Sequence, residues 1–288
     1  MKKISVVIPV YNEATTVEKV IQDLRLVLSA TAVDYEIIAV DDASKDQSGD
    51  ILEQIKDITV IRHSENQGYG ASIKTGAKSA TGEYILIIDG DATYPTEAIP
   101  RMIEHIDHYD LVSGERRGKN FDARWLYLQR VGKFVLRMIA SYITQHKIPD
   151  INCGLRIYRK ETFDKFLYLY PNQFSLTTTS LVAFLSNNYR VKFIPIDYHK
   201  RTGKSTLKPL KSFGQFIGLL LKISLFFKPI RIFLPLSMLL LLSAMSIAFY
   251  SLCFQDIFYD TTTILLATTA LQTLFFGLLA EIIVHNRR

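Results

Sequence analysis

The amino-acid sequence predicts an α/β fold, a mostly parallel sheet with helices on both faces, followed by a C-terminal hairpin of two transmembrane helices. Up to Gly118, short apolar strands alternate with amphipathic helices, as in parallel α/β sheets. Acidic and polar residues directly follow several of these strands. Residues 232–254 and 261–280 contain no charged residue, and each stretch meets the roughly 20 residues needed to cross a bilayer.

The strands and helices are predicted from hydrophobic periodicity. The predicted strands are residues 4–9, 35–40, 59–61, 84–88, 111–113 and 191–196. The predicted helices are residues 15–28, 48–55, 70–80, 99–106, 125–142 and 180–187. Because the strands are apolar on both faces, we expect helices to cover both sides of the sheet. Residues 150–159 are predicted to be a polar connection.

The charges around the two apolar stretches predict their orientation. The connection, residues 255–260, carries no Lys or Arg. Cations flank the hairpin on its other side: Lys222, Lys228, Arg231, Arg287 and Arg288. The positive-inside rule then places the soluble part and both termini in the cytoplasm of an integral membrane protein. A buried hairpin in the core of a soluble protein is the alternative.

The predicted organisation has three parts. Residues 1–204 form the soluble α/β domain, residues 205–228 form amphipathic helices in the membrane interface, and residues 229–288 form the hairpin, with spans at about 232–254 and 261–284. An ordinary surface helix is the alternative for the middle part. The net charge is +6, and the cations before the first span favour membrane lipid as a partner over nucleic acid.

Asp89 and Asp91, at the end of an apolar strand, are candidate metal ligands. Side chains at i and i+2 of an extended chain share one face. Mg²⁺ or Mn²⁺ is satisfied by one or two carboxylates together with the oxygens of a substrate diphosphate. An Asp-Gly turn between strands is the alternative for the same residues.

Other strand ends carry candidate ligands for a nucleotide. Ligands bind beyond the carboxyl ends of strands in open α/β sheets, so residues 11–13 and Asp41-Asp42 are expected to line the crevice that holds Asp89. The two adjacent carboxylates suit ribose hydroxyls or a base edge, although one of them could simply cap the next helix. Residues 66–70 precede a helix with Lys74 and are predicted either to bind an anion or to form a turn.

Basic residues follow two later strands. Arg116 and Arg117 come after one strand, and Arg201 and Lys208 flank Ser205 shortly before the membrane. Solvated charge is the usual role of such clusters, but Arg binds phosphate well through paired hydrogen bonds. Asp150 is a lone carboxylate whose alternative role is turn or cap chemistry.

The ordered set of motifs resembles family 2 glycosyltransferases with the GT-A fold. The matching motifs are residues 7–13 (VIPVYNE), 40–46 (VDDASKD), 89–91 (DGD), 150–155 (DINCGL) and 201–205 (RTGKS). The branch that looks most similar is the polyprenyl-phosphate glycosyltransferases, which include dolichyl-phosphate mannose synthase and bacterial undecaprenyl-phosphate glycosyltransferases. The resemblance covers nearly the whole chain, including the terminal hairpin.

The resemblance implies roles for individual residues. Nucleotide-sugar binding is implied for Pro9, Tyr11, Glu13, Asp41, Asp42, Lys74 and Gly90. A catalytic role is implied for Asp89, Asp91 and Asp150, the first two as ligands of Mg²⁺ or Mn²⁺. Binding of donor and acceptor phosphates is implied for Arg116, Arg117, Arg201, Ser205 and Lys208. Two departures stand out, because Thr93 replaces a frequent Gln and residues 177–179 are threonines where many members have an acid.

The implied reaction is metal-dependent, inverting transfer of a sugar from a UDP- or GDP-sugar to a polyprenyl phosphate. Such a phosphate is largely ionised near neutral pH, since its second pKa is about 6, so it needs no dedicated base. A homo-oligomer is compatible with this assignment. The alternatives are transfer to a glycan or diacylglycerol hydroxyl, and a catalytically silent membrane scaffold that binds nucleotide-sugar.

Overall fold

A computed structural model describes residues 2–117, 126–173, 175–199, 218, 224–254 and 260–285 of the 288. The chain divides into two compact units, residues 1–216 and residues 217–288. The predicted interfacial segment, residues 205–228, lies largely outside the described residues.

The first unit is built on a seven-stranded sheet with the strand order β3-β2-β1-β4-β6-β5-β7. The strands are β1 (Lys3–Val10), β2 (Asp34–Asp41), β3 (Thr59–Arg62), β4 (Tyr84–Ile87), β5 (Leu111–Arg117), β6 (Arg156–Arg159) and β7 (Val191–Asp197). Neighbouring strands are parallel except at β6, which runs antiparallel to both β4 and β5. In the centre of the sheet Val7 pairs with Ile38 on one side and with Ile87 on the other.

Seven α-helices and two short 3₁₀ helices, Thr96–Ala98 and Leu167–Leu169, accompany the sheet in the described part of the first unit. The α-helices are α1 (Val17–Ser29), α2 (Ser48–Gln54), α3 (Tyr69–Ser79), α4 (Ile99–Ile103), α5 (Leu126–Thr144), α6 (Lys160–Lys165) and α7 (Leu176–Ser186). The six predicted strands and six predicted helices are all present, with shifted ends. The predicted helix 99–106 is shorter than expected, and the predicted polar connection is wrong at residues 156–159, which form β6.

The core lies on both faces of the sheet. Ile4 and Ile8 of β1 are fully buried in the cluster that includes the apolar face of α1. Val7 points to the opposite face, where it meets Gly76 of α3 so closely that a Cβ there would lie 2.5 Å from Val7 Cγ1. Helices therefore cover both faces, as the apolar strands predict.

The described part of the second unit contains two long helices, α8 (Ile230–Phe254) and α9 (Asp260–His285). Ser237 of α8 donates a hydrogen bond from Oγ to the carbonyl oxygen of Ala270, at 2.7 Å. Gly277 lies so close to Phe233 that a Cβ on it would be 2.5 Å from the Cβ of that residue. Small residues of this kind let helix backbones approach closely in membranes.

The apolar side chains of the hairpin are exposed. Leu239 is 61%, Leu252 74% and Phe276 64% exposed, whereas the buried residues of α8 are Ser237, Ala244 and Ser251. A hairpin in a soluble core would show the reverse pattern. The length, composition and exposure of α8 and α9 are those of a membrane hairpin.

Candidate functional site

The strand directions bring several loops to one edge of the sheet. The parallel strands β1, β2 and β4 end at this edge, and β6 begins there because it runs antiparallel to β4. The chain passes from β1 outward to β2 on one side, whereas β4 lies on the other side of β1. Ligands of open α/β sheets bind at such a change of direction.

A cavity of about 280 Å³ opens at this edge of the sheet. Its lining residues are Pro9, Val10, Tyr11, Glu13, Asp42, Asn66, Gly68, Tyr69, Ser72, Asp89, Gly90, Asp91 and Gln173. The structure thus brings together most of the residues predicted to bind a nucleotide and a metal ion. They come from the ends of three neighbouring strands.

Hydrogen bonds tie the three strand-end loops to one another. The backbone N–H of Asn12 donates to Ser44 Oγ at 3.0 Å, and that of Glu13 donates to Ser48 Oγ at 2.8 Å. Thr16 Oγ1 donates to the carbonyl oxygen of Gly90 at 2.8 Å. The loops after β1, β2 and β4 therefore form one connected rim.

Each of these loops also contains a non-glycine residue in the left-handed region. The φ angles are 58° at Asn12, 57° at Ala43 and 56° at Ala92. This conformation is costly for a residue with a Cβ, and it persists only where the surroundings impose it. Strained backbone at three adjacent strand ends agrees with a functional edge of the sheet.

Asp91 is held by Thr93. Its Oδ1 accepts the backbone N–H of Thr93 at 3.1 Å and the Thr93 hydroxyl at 2.6 Å. Asp91 is 7% exposed and Thr93 is fully buried. The residue that departs from the family pattern in the sequence thus supports the second carboxylate, a contact that sequence reasoning missed.

Asp89 is held from two other parts of the chain. The Tyr69 hydroxyl, at the start of α3, donates to Asp89 Oδ1 at 2.9 Å. Burial, and then the charge of Asp89, raises the pKa of Tyr69 well above its usual value, so the hydroxyl stays a donor. Gly154, before β6, packs so closely that a Cβ there would lie 2.8 Å from Asp89 Oδ2.

The donor set suits a hard divalent cation that is shared with a ligand. Asp89 and Asp91 are oxygen donors that line the same cavity. Within the described ranges no group of three or more His, Cys, Asp or Glu residues could hold a metal ion. Two carboxylates completed by diphosphate oxygens are therefore the shell that these residues fit.

The paired acids after β2 have different surroundings. Asp42 lines the cavity, and its carboxylate accepts the backbone N–H groups of Gln67 at 2.9 Å and Gly68 at 2.8 Å and contacts His63 Nδ1 at 2.7 Å. The carboxylate of Asp41 accepts the backbone N–H of Ser44 at 3.0 Å, inside the loop before α2. The capping alternative is wrong, because the N-cap of α2 is Gln47. Their roles toward a nucleotide stay predictions.

Arg116 and Asp150 form a two-fold ion pair. Arg116 donates from Nε to Asp150 Oδ2 at 2.6 Å and from Nη2 to Oδ1 at 2.8 Å. Burial would raise the pKa of Asp150, but the hydrogen bonds and charge of Arg116 outweigh burial and lower it. The guanidinium also lies 5.3 Å from the centre of the Tyr198 ring. Sequence analysis assigned these two residues separate roles and did not pair them.

The remaining predicted residues are placed apart from the cavity or are not described. Lys74 donates to the carbonyl oxygen of Tyr170 at 3.1 Å and to Asn172 Oδ1. Arg117 is exposed, with its Nε 3.6 Å from Glu115 Oε1. The predicted phosphate ligands that lie outside the described residues are Arg201, Ser205 and Lys208.

Buried polar residues brace the loop before β6. Arg156, fully buried, donates from Nη2 to the carbonyl oxygen of Ile151 at 2.9 Å and from Nη1 to that of Thr177. Thr178 donates to Asn152 Oδ1 at 2.6 Å. The threonines that replace an acid in the family pattern thus hold the loop that carries Asp150 and Gly154. Without knowing that β6 and α7 meet, no sequence signal would have revealed this.

The sheet topology and the carboxylate pair at its switch point define the GT-A class of fold. Solved structures of glucosyl-3-phosphoglycerate synthase from Mycobacterium tuberculosis are similar. In its complex with Mn²⁺, UDP and phosphoglyceric acid, the synthase is 19% identical to this chain, with a TM-score of 0.60. The match covers 77% of this chain and 78% of the synthase chain. The complex with Mg²⁺ and UDP gives the same sequence identity and TM-score, and the match covers 77% of this chain and 79% of the synthase chain.

The chain belongs to glycosyl transferase family 2, which matches residues 5–167. Residues 228–285 match the GtrB C-terminal hairpin. The chain is 31% identical over 203 residues to the undecaprenyl-phosphate 4-deoxy-4-formamido-L-arabinose transferase of Enterobacter sp. (strain 638), and 30% identical to that of Photorhabdus laumondii subsp. laumondii. The matches cover 68% of this chain, which spans 59% of the length of these relatives.

Proposed function

We propose that this protein is a membrane-anchored glycosyltransferase that moves a sugar from a UDP- or GDP-sugar to a polyprenyl phosphate, with inversion at the anomeric carbon. The observation that carries the proposal is the pair Asp89 and Asp91 in one cavity with the strand-end residues Tyr11 and Glu13. Family membership, the GtrB-type hairpin and the undecaprenyl-phosphate acceptor in the names of two relatives support it.

The donor side is supported by the cavity wall and by the carboxylate pair. Pro9, Tyr11 and Glu13 contact the nucleoside, and Asp89 and Asp91 are the residues that would hold Mg²⁺ or Mn²⁺. The cation offsets the negative charge that builds up on the departing nucleoside diphosphate. Solved structures of the mycobacterial synthase contain UDP with either ion. Tyr69 and Thr93 hold the carboxylates in position before the donor binds, which limits reorganisation during the reaction.

The acceptor side favours a phosphate over a hydroxyl nucleophile. A hydroxyl acceptor ordinarily requires a positioned general base. Among the predicted site residues, Asp150 is the candidate for a general base. Its ion pair with Arg116 lowers its pKa, however, and so makes it a weak base. A polyprenyl phosphate is already ionised, so its oxygen attacks without losing a proton. The cations Arg116, Arg117, Arg201 and Lys208, together with Ser205, are the proposed phosphate contacts.

The direct test is transfer by the purified full-length protein in lipid nanodiscs. A panel of labelled UDP- and GDP-sugars is incubated with undecaprenyl phosphate and Mn²⁺ or Mg²⁺, and the lipid extract is measured by mass spectrometry. We expect one donor to give a lipid with the mass of a polyprenyl-phosphate sugar that is cleaved by mild acid. A labelled lipid that resists mild acid would indicate a hydroxyl acceptor. No donor consumption at any lipid concentration would indicate a scaffold.

The Asp91→Asn variant tests the carboxylate pair. It keeps the size of the side chain and removes its charge, so we expect transfer to fall by at least about 10²-fold, the cost typical of losing transition-state charge stabilisation. The matched control is Asp57→Asn, at an exposed residue with a φ of 58° that Asn accepts. Thermal unfolding of both variants checks folding, and an active Asp91→Asn protein contradicts the assignment.

A further inference from the structure

A buried histidine joins three elements beside the cavity at the edge of the sheet. His63 follows β3, and its backbone N–H donates to the carbonyl oxygen of Asp41 at 2.9 Å. Its ring Nδ1 lies 2.7 Å from Asp42 Oδ1, and its Nε2 lies 3.0 Å from Thr75 Oγ1 on α3. The His63 side chain is 7% exposed and does not line the cavity. No role was predicted for it from the sequence.

The two ring contacts fix the orientation of His63. A carboxylate only accepts hydrogen bonds, so Nδ1 carries the proton that faces Asp42. The Thr75 hydroxyl rotates to suit the other nitrogen, because it donates to a bare Nε2 and accepts from a protonated one. Since the ring is held from both sides, its Nδ1 proton stays directed at the carboxylate.

These contacts leave one position open on the Asp42 carboxylate. Among the described residues, Oδ1 accepts from the backbone N–H of Gln67 and from His63 Nδ1, whereas Oδ2 accepts from the backbone N–H of Gly68. A carboxylate has about four lone-pair sites, which are two on each oxygen. Because Asp42 lines the cavity, the remaining site on Oδ2 is available to a ligand there.

We propose that His63 is a positioning residue for the nucleotide-sugar donor, because it holds the Asp42 carboxylate so that Oδ2 accepts one N–H or O–H group of the nucleoside. Uracil and guanine each carry a ring N–H, and ribose carries hydroxyl groups. The terminal torsion of an Asp side chain is only weakly restricted by itself, so the direction of Oδ2 depends on the donors around it. The inference rests on the proposed function, since it takes the cavity as the donor site.

Nucleotide binding by the full-length protein in lipid nanodiscs tests the proposal. Calorimetric titrations with UDP and GDP are run with Mg²⁺ and without it, so that the nucleoside contacts and the metal-dependent diphosphate contacts are measured separately. We expect His63→Leu to weaken binding of the preferred nucleotide about tenfold or more, since a hydrogen bond to a charged group is lost. The factor by which Mg²⁺ strengthens binding is expected to equal that of the wild type.

Three further variants separate positioning from a general loss of structure. His63→Asn places an amide donor close to the position of Nδ1, so we expect it to restore most of the nucleotide affinity. Thr75→Val keeps the shape of the side chain but removes the hydroxyl behind the ring, and it is expected to weaken binding about threefold. The matched control is His108→Leu, the same substitution at an exposed histidine outside the cavity, which is expected to bind as the wild type does.

Several results overturn the proposal. They are wild-type affinity in His63→Leu, an affinity in His63→Asn as low as in His63→Leu, and a loss of the Mg²⁺ effect together with nucleotide binding. Thermal unfolding identifies a variant that does not fold. If His63→Leu is such a variant, wild-type affinity in Thr75→Val overturns the proposal in its place.

The same titrations distinguish this inference from the proposed function. A wild-type protein that binds UDP or GDP but transfers no sugar to undecaprenyl phosphate contradicts the proposed reaction alone. A wild-type protein that binds a nucleotide, with equal affinity in His63→Leu, contradicts the role of His63 alone. Binding of neither UDP nor GDP contradicts both.

Discussion

The two candidate metal ligands are positioned by neighbours of different kinds. A tyrosine hydroxyl from α3 holds Asp89, whereas a threonine two residues further along the chain holds Asp91 through both its backbone and its hydroxyl. Hydrogen bonds from these hydroxyl and amide donors orient the two carboxylates. This arrangement explains how Thr93, in place of a frequent Gln, still serves the carboxylate pair.

Asp150→Asn is predicted to destabilise the first unit. The substitution removes the charge that faces the largely buried Arg116 and leaves the guanidinium without its carboxylate partner. Removing one member of a buried pair typically costs about 3 kcal/mol or more in the free energy of unfolding. We expect a clearly lower thermal midpoint for the purified protein. Glu161→Gln, which breaks the exposed ion pair with Lys165, is the control and is expected to leave the thermal midpoint nearly unchanged.

The same pair predicts how stability depends on pH. The pKa of Asp150 is below its ordinary value of 3.8 in the folded chain, so its ionised form stabilises the fold above that pH. This contribution is lost as the pH falls below 3.8 through the lowered folded-state pKa. Thermal midpoints measured from pH 6 downward should therefore converge between the wild type and Asp150→Asn at low pH. A constant difference down to the acid limit would contradict the pair's titration.

The loop before β6 supports the site because β6 runs antiparallel between β4 and β5. The antiparallel direction of β6 brings residues 150–154 to the edge of the sheet at which β4 ends, just before Asp89. Arg156 and the start of α7 then hold the loop from behind. Because these contacts hold the loop in place, we expect that a methyl group added to it would displace a neighbouring side chain.

Gly154→Ala is predicted to displace the Asp89 carboxylate. The added Cβ would lie 2.8 Å from Oδ2 and 3.1 Å from Cγ, so the side chain or the loop must move. Misplacement of a catalytic group by about 1 Å can cost on the order of 10²-fold in rate. We expect a loss of that size in the transfer rate and a weakened dependence on Mn²⁺, with a thermal midpoint close to that of the wild type. An unchanged transfer rate would show that the loop moves to accommodate the methyl group and leaves Asp89 in place.

Gly277→Leu is predicted to separate α8 from α9. A side chain at Gly277 would occupy the position of Phe233, and small residues are what allow these helices to approach. We expect a lower thermal midpoint and a lower yield from membranes. Thr268→Leu makes a comparable enlargement at an exposed position of α9 and should change neither by much. If both substitutions lowered the thermal midpoint and the yield equally, the contact between α8 and α9 would not be the cause.

The orientation of the hairpin in the membrane is a prediction from the charges that flank it. The test uses a membrane-impermeant maleimide and a Cys253→Ser background, in which the remaining Cys153 is buried and burial raises its pKa to about 12, so that it reacts slowly. We expect Asp256→Cys, in the connection between the spans, to react in intact cells, and Ser29→Cys, exposed on α1, to react only after lysis. The reverse pattern would place the first unit outside the cytoplasm.

Much of the fold was predictable because its strands and helices follow from the local periodicity of hydrophobic residues. Apolar runs identified the parallel strands β1 to β4, and their polar ends identified Tyr11, Glu13, Asp42, Asp89 and Asp91 as neighbours in one cavity. β6 was missed because its two arginines placed residues 156–159 inside the predicted polar connection. Arg156 is nevertheless buried, and the hydrogen bonds that compensate its burial are supplied only by the folded chain.

Three features follow from residues that are close along the chain: the alternation of strands and helices, the two apolar spans and the acidic pair. Only long-range packing sets the neighbours of the acids: Tyr69 and Gly154 against Asp89, and Arg116 paired with Asp150. These contacts join segments far apart in sequence. Their geometry follows from strand order and from one antiparallel strand, which no local pattern of residues records.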